Sequence, residues 1–289
     1  EAENARIVRA LRSRRRRRYI PLILSSAVLL AIVLLAVFAH VISPFDPAKQ
    51  DILQRLKPPS WLPGGAKGHL LGTDALGRDI LSRTIYGARI SLTVGLLSVV
   101  VGGAIGITLG LLAGYFRGAV DLVLGRIADI QQALPFIVLV LAIVAAVGAS
   151  LTNLVLVLGV GSWVFFYRIV RGEVQAVREL TYVEAAQAIG CAHPRILWRY
   201  VLPNVMSAAI ITVTLFVPQV ILYEAALSFL GLGVQPPTPS WGSLIADGRA
   251  YVELAWWISV FPGLFLMGTV LAMNMLGEWF RDYYDPLQR

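Results

Sequence analysis

The sequence has 289 residues but only one cysteine, Cys191, and three histidines, His40, His69 and His193. A lone cysteine excludes an internal disulfide and any multi-cysteine metal site. The histidines are too scattered to form a metal set, so no metal ligand is expected. Charge is scarce as well. Asp, Glu, Lys and Arg make up 15% of the chain, against about a quarter in soluble proteins. The patterns GxSxG, HExxH and GxxxxGK(S/T) are missing, which removes the common hydrolase, zinc-protease and nucleotide-cradle signatures. No catalytic residue is expected. No acid or base stands near the centre of a long apolar run, which argues against an ion-coupled carrier with a midplane relay and against a voltage sensor.

What is present is apolar surface. The chain is 57% hydrophobic, with a mean hydropathy of +0.72. That composition excludes a disordered or disulfide-stapled secreted chain and points to an all-α polytopic membrane protein. The net charge is +8, and residues 1–18 alone hold eight arginines against Glu1 and Glu3. A basic chain raises nucleic acid as a partner. A basic run directly ahead of an apolar span is instead the pattern that keeps that flank cytoplasmic. Residues 1–18 therefore read as a basic cytoplasmic tail attracted to anionic lipid, and no nucleic-acid partner is expected. The apolar run from Tyr19 to Ile42 is longer than a secretory signal and ends in no small-residue cleavage site. It reads as a retained first span.

A bilayer core of about 30 Å needs about 20 apolar residues in a helix. Charge-free windows then predict spans at 19–42, 90–116, two within 130–167, 200–223 and 254–277. The window 130–167 is too long for one crossing, and Gly148, Ala149, Ser150 and Asn153 supply the turn that divides it. A further charge-free window, 225–246, contains Gly231, Gly233, Pro236, Pro237 and Pro239. Proline breaks a helix interior, so this stretch predicts a loop with short helical pieces near the membrane surface.

Six spans with a cytoplasmic start place both termini in the cytoplasm. The expected plan is a tail at 1–18, a first helix at 19–42, an extracytoplasmic loop at 43–89, a five-helix core at 90–277 and a tail at 278–289. Within the core, loops at 117–126 and 168–199 are expected inside, and 148–153 and 224–253 outside. The positive-inside count is mixed, because the loop 43–89 holds seven basic residues. The N-terminal cluster sets the assignment.

Gly102, Gly106, Gly110 and Gly114 recur every fourth residue, so they share one helix face and predict close packing against another helix. Asp129 lies three residues from Arg126, close enough on a helix to pair. Glu224, near the outer end of the fifth span, and Trp241, in the loop that follows, are candidates for a pathway or gate. The segment 168–203 alternates polar and apolar residues at helical spacing. Pro194 divides it into two short helices, and Pro203 marks entry to the next span. A long amphipathic segment at one face of a small membrane protein suits docking to a partner.

That segment carries a resemblance. Glu184, Ala185 and Ala186, then Gly190, then Leu202 and Pro203, resemble the EAA loop of ABC-importer permeases, EAA-x3-G-x9-I-x-LP. One position departs, with Tyr200 in place of isoleucine. LGTDALGRDILSRTIYGARISLTVGL (71–96), ALSFLGLGVQPPTPSWGSLIADGR (226–249) and the closing LGEWFRDYYDP are similar to segments of the peptide and nickel permease family, in its second, "C"-type subunit. The resemblance implies a type I importer permease fold in the bacterial cytoplasmic membrane, with the EAA loop as a coupling helix. It implies a homologous partner permease, two cytoplasmic ATPase subunits holding ATP and Mg, and an extracytoplasmic solute-binding protein. This chain would bind no cofactor. The expected substrate is a dipeptide or short oligopeptide; nickel chelates, glutathione and haem are alternatives within the same machine. An ion-coupled secondary carrier is the more distant alternative. The loop 226–249 would contact the binding protein, cover the pathway, or only close the outer end of the bundle.

Overall fold

The computed structural model describes residues 21–284. The basic tail 1–18, the first two residues of the span expected at 19–42, and the end of the tail 278–289 lie outside the described residues. Regular structure among the described residues is helical, apart from one isolated bridge between Thr73 and Asp79. The helices in chain order are α1 (Pro21–Val37), α2 (Ala39–Ile42), α3 (Ile80–Phe116), α4 (Gly118–Gln132), α5 (Phe136–Val147) and α6 (Leu151–Arg178). Then follow α7 (Thr181–Ala188), α8 (His193–Ile196), α9 (Leu202–Phe229), α10 (Trp241–Arg249) and α11 (Trp257–Tyr284).

Among the described residues four helices are long and apolar enough to cross a membrane: α3, α6, the continuous run His193–Phe229, and α11. The regular third span expected from Ile130 is replaced by a bent pair. α4 and α5 meet at 84°. α4 stops at Gln132 because Pro135 has no N–H to continue the ladder and pushes the residue before it out of the helical region. α5 has 12 residues and is about 18 Å long at 1.5 Å per residue, too short for a bilayer alone. The expected six crossings are reached only if both the bent pair and α1 cross.

Three boundaries differ from the charge-free windows. α3 begins at Ile80, where the Asp79 side chain accepts a hydrogen bond from Ser82 N–H at 2.7 Å and caps the helix. The stretch 117–126, expected as a loop, is the start of α4. α6 runs on through Arg168 and Arg171 to Arg178. The turn before α6 lies where glycine and serine predicted it: Ser150 caps the helix by accepting from Asn153 N–H at 3.1 Å.

α3 and α6 run parallel and in contact along the glycine stripe. A Cβ on Gly106 would lie 2.6 Å from the Cβ of Phe166, one on Gly110 2.9 Å from the carbonyl of Tyr167, and one on Gly114 2.7 Å from the Cβ of Val174. A Cβ on Gly102 would overlap Ser162. Nothing larger than hydrogen fits, so the two backbones approach as in small-xxx-small packing. α9 runs antiparallel to α3, with Ile221 over Gly95 and Val213 near Gly103, and meets α6 through Phe216 on Phe165 and Phe166. Ile32 and Ala36 of α1 join the same core.

Candidate functional site

The EAA segment lies at the end of the bundle where α3 and α6 finish. α6 ends at Arg178, and two residues later α7 begins. One face of α7, Val183 and Ala186, packs with Val174, Val177 and Ile196 in a small core that also holds Tyr115. The opposite face is open. Glu184 and Ala185 are exposed, and Glu184 makes no ion pair with a described residue. Ile189 (79% exposed) and Trp198 (73%), further along the same segment, are bare as well.

Gly190 has a local cause. Its φ is +79°, and its N–H donates to the Gln187 carbonyl at 2.9 Å while Cys191 N–H donates to the Ala186 carbonyl at 3.1 Å. This is a Schellman end, which needs a left-handed residue just past the helix. A Cβ there would meet no neighbour, so the requirement is conformational and not steric. The EAA-x3-G spacing is therefore one helical turn, its stop, and the reversal that starts α8.

Pro203 behaves differently from expectation. The helix does not restart at Pro203 but runs from His193 to Phe229 through a π turn, Leu197–Val201. The wider turn accommodates a residue with no N–H and a ring facing back. The bend in the segment lies at Ile189–Ala192, ahead of Pro194, which sits in the first turn of α8.

Three contacts outside the motif tie the segment to the bundle. Arg178 donates to the Tyr115 carbonyl at 2.6 Å and stands over the Tyr115 ring. The Tyr115 hydroxyl is 2.9 Å from His193 Nδ1. Arg117 pairs with Glu179 at 2.6 Å. Tyr115 and His193 are 78 positions apart, and no local spacing signals their pairing. Asp129 pairs with Arg168 of α6 at 2.7 Å, not with the nearer Arg126, because α4 lies against α6.

The opposite end is built around buried charge. Asp74 accepts from Arg78 Nε at 2.6 Å and from the Arg83 guanidinium at 2.5 Å. Arg83 also reaches Asp247 of α10 at 3.3 Å. Asp79 meets His69 at 2.9 Å. The stretch LGTDALGRDILSR is thus a folded clasp: Asp74 also accepts from Leu76 and Arg78 N–H.

Glu224 and Trp241 lie in this end, and both are fully buried. The Glu224 carboxylate accepts from Ser91 at 3.0 Å and from Ser228 at 2.7 Å. Ser240 donates to Ser228 at 3.2 Å. Trp241 donates from its ring N–H to the Thr84 carbonyl at 3.0 Å and from its backbone N–H to Ser91 at 3.3 Å. In this conformation the two residues join α9 and α10 to α3 and expose none of their surface. Among the described residues no group of three or more metal-ligating side chains converges.

Comparison with known proteins accords with this arrangement. A family described as binding-protein-dependent transport system inner membrane component matches residues 106–289. A second, the N-terminal TM domain of oligopeptide transport permease C, matches residues 17–59. The di/tripeptide transport system permease protein DppC of Pseudomonas aeruginosa is 46% identical over 258 residues, 89% of this chain and 85% of that protein. The dipeptide transport system permease protein DppC of Escherichia coli K12 is 46% identical over 255 residues, 88% and 85% of the two chains. The glutathione transport system permease protein GsiD of Salmonella typhimurium is 39% identical over 271 residues, 94% and 88%. Among solved structures, a chain of the inward-facing MetNI methionine ABC transporter superposes with a TM-score of 0.58 at 20% identity, over 69% of this chain and 94% of that one; this likeness concerns the fold. The chain is a multi-pass membrane permease subunit with the type I ABC-importer fold, and it belongs to the family of binding-protein-dependent transport system inner membrane components.

Proposed function

We propose that this chain is one of two permease subunits in an ATP-driven importer that moves dipeptides or short oligopeptides across the bacterial cytoplasmic membrane. A homologous permease chain forms the other half of the passage. Two ATPase subunits, which hold ATP and Mg, dock beneath α7. A solute-binding protein delivers peptide at the α10 end. Both termini lie in the cytoplasm, and the chain itself supplies no catalytic group.

The observation that carries this reading is the form of the EAA segment. α7 offers Glu184, Ala185 and bare apolar side chains outward, while its other face is fastened to α3 and α6. Small residues let a helix enter a groove closely, and Glu184 is placed to meet a basic residue there. Closure of the ATPase pair then pushes α7, α8 and the ends of α3 and α6 as one body. Nucleotide and peptide shift the inward–outward balance only through their different affinities for the two states.

Relatives named for di- and tripeptides support the substrate class. Glutathione, itself a tripeptide, is the second reading, supported by the relative named for it. The test is ATP hydrolysis by the assembled complex in liposomes, with and without the binding protein, across di- to pentapeptides, glutathione, nickel chelate and haem. Stimulation by a peptide-loaded binding protein is expected. Stimulation by glutathione, nickel or haem alone would keep the machine and change its cargo. Failure to associate with any ATPase would overturn the reading.

A further inference from the structure

We propose that the pocket at the break between α4 and α5 is this chain's contact with the transported peptide, and that Gln132 and Tyr223 hold the peptide by its backbone. The proposal rests on the peptide-importer reading above and adds to it the groups that touch the cargo.

The pocket has a volume of about 330 Å³ and is lined by Gln132, Pro135, Phe136, Phe165, Phe216 and Tyr223, among others. That is within the size range of small-molecule sites. Its depth follows from its walls. Phe165 stands near the middle of α6 and Phe216 near the middle of α9, so the pocket opens well inside the bilayer. At that depth Leu134 and Pro135 leave the helical ladder and are exposed. Non-helical backbone within the membrane occurs only where protein covers it or where it lines a water-filled cavity. This face therefore looks onto the interior of the assembly and not onto lipid.

The polar groups are divided between wall and ligand. Gln131 is engaged in the wall: its amide donates to the Gly161 carbonyl and accepts from Trp163 Nε1 at 2.7 Å. The adjacent Gln132 is exposed. Neither its amide nor the Tyr223 hydroxyl makes a hydrogen bond with another described residue. A primary amide offers donors and an acceptor side by side, the complement of a peptide group. None of the described lining residues is charged. Such a site reads the peptide backbone and leaves the cargo's side-chain charge unread. The aromatic rings receive side chains of varied shape: Phe165 and Phe216 are stacked 4.5 Å apart, and Phe136 leans on Tyr223 at 4.8 Å. The ligand class is a short peptide taken without preference for charged side chains.

The experiment uses the assembled complex in liposomes with radiolabelled dialanine. Gln132→Leu combined with Tyr223→Phe is expected to lower peptide moved per ATP hydrolysed about tenfold, the scale of two neutral hydrogen bonds lost, with the ATPase chains still co-purifying. An unchanged yield overturns the pocket. A second measurement is independent of the double variant's folding. Gln132→Cys, in a chain carrying Cys191→Ser, is expected to react with a small water-soluble thiol reagent and to lose most of that labelling when dialanine is delivered. Labelling that dialanine leaves unchanged overturns the proposal. A wild-type complex that moves no peptide overturns the peptide reading itself, and that failure is visible before any substitution is made.

Discussion

At the end of α3 that carries Arg83, the ion cluster is buried; at the end where α3 stops at Phe116, ion pairs such as Arg117–Glu179 lie at the surface and Glu184 faces outward without an ion-pair partner among the described residues. Asp74, Arg78 and Arg83 lie close together with Asp247 at the first end, and Glu224 is enclosed by three serines and Trp241. At the second end Glu184 is exposed and apolar residues of the α7–α8 segment stand bare. A buried ion pair contributes little net stability, but removing one partner leaves an uncompensated charge. The first end is therefore fixed in one arrangement by its own side chains. The second presents Glu184, Ala185 and exposed apolar side chains outward, and under the function proposed above an ATPase subunit covers them. The glycine stripe lies between the two, where α3 and α6 are in backbone contact.

The comparison breaks most visibly if Arg83 is dispensable. Arg83→Met leaves Asp74 with Arg78 alone and takes the guanidinium from Asp247, and is expected to cost about 1.5–3 kcal/mol, the scale of a lost charge-assisted hydrogen bond, read as a fall in the thermal unfolding midpoint of the purified chain in detergent. A change within error would mean that the first end is not held by its charges. Gly106→Leu comes next. Its side chain would overlap the backbone of Trp163 and the Cβ of Phe166, at a cost of about 1–3 kcal/mol for overpacking. The same unfolding assay measures it, and Gly172→Leu, at a helical glycine with open space around it, is the control expected to do far less.

Gly190→Ala sharpens the account of the second end. A left-handed residue with a Cβ costs about 1–2 kcal/mol, and the strain falls on the turn between α7 and α8 alone. ATP hydrolysis coupled to transport is expected to fall while the unfolding midpoint of the bundle moves little. Tyr115→Phe has the smallest expected effect. It removes the hydroxyl next to His193, a neutral hydrogen bond of about 0.5–1.5 kcal/mol, and is expected to speed amide exchange in α8 without altering exchange in α10. Equal changes at both ends would contradict the separation drawn between them.

How far the sequence foretold this depends on whether the cause is local. Apolar runs locate the long helices, because a span is defined by its own length and composition. The sequence places Gly190 only through its resemblance to the EAA motif; that it ends α7 in a left-handed turn is shown by the structure. The four-residue glycine period reveals a packing face, but not that α6 is what fills it. Pro135 lies inside a charge-free window, and hydropathy does not register a missing N–H, so the bend between α4 and α5 stays hidden behind an apparently regular span. Arg83 and Asp247 are 164 positions apart. Their pairing depends on how α10 folds back over α3, which no spacing records. Asp129 shows the same limit: a partner three residues away is plausible by helix geometry, and the tertiary contact with Arg168 wins. Gln132 and Tyr223 were unremarkable in the sequence, since neither is charged and their shared pocket exists only once α4, α5, α6 and α9 are assembled.

The central claim is that the α7 end is finished by a partner that drives the bundle. Glu184→Lys in the assembled complex tests it most directly. The side chain is exposed and unpaired within the described chain, so the variant is expected to insert and unfold as the parent does. ATP hydrolysis stimulated by the loaded binding protein, and transport with it, are expected to fall sharply. A Glu184→Lys complex that couples hydrolysis to transport as well as the parent would contradict the account.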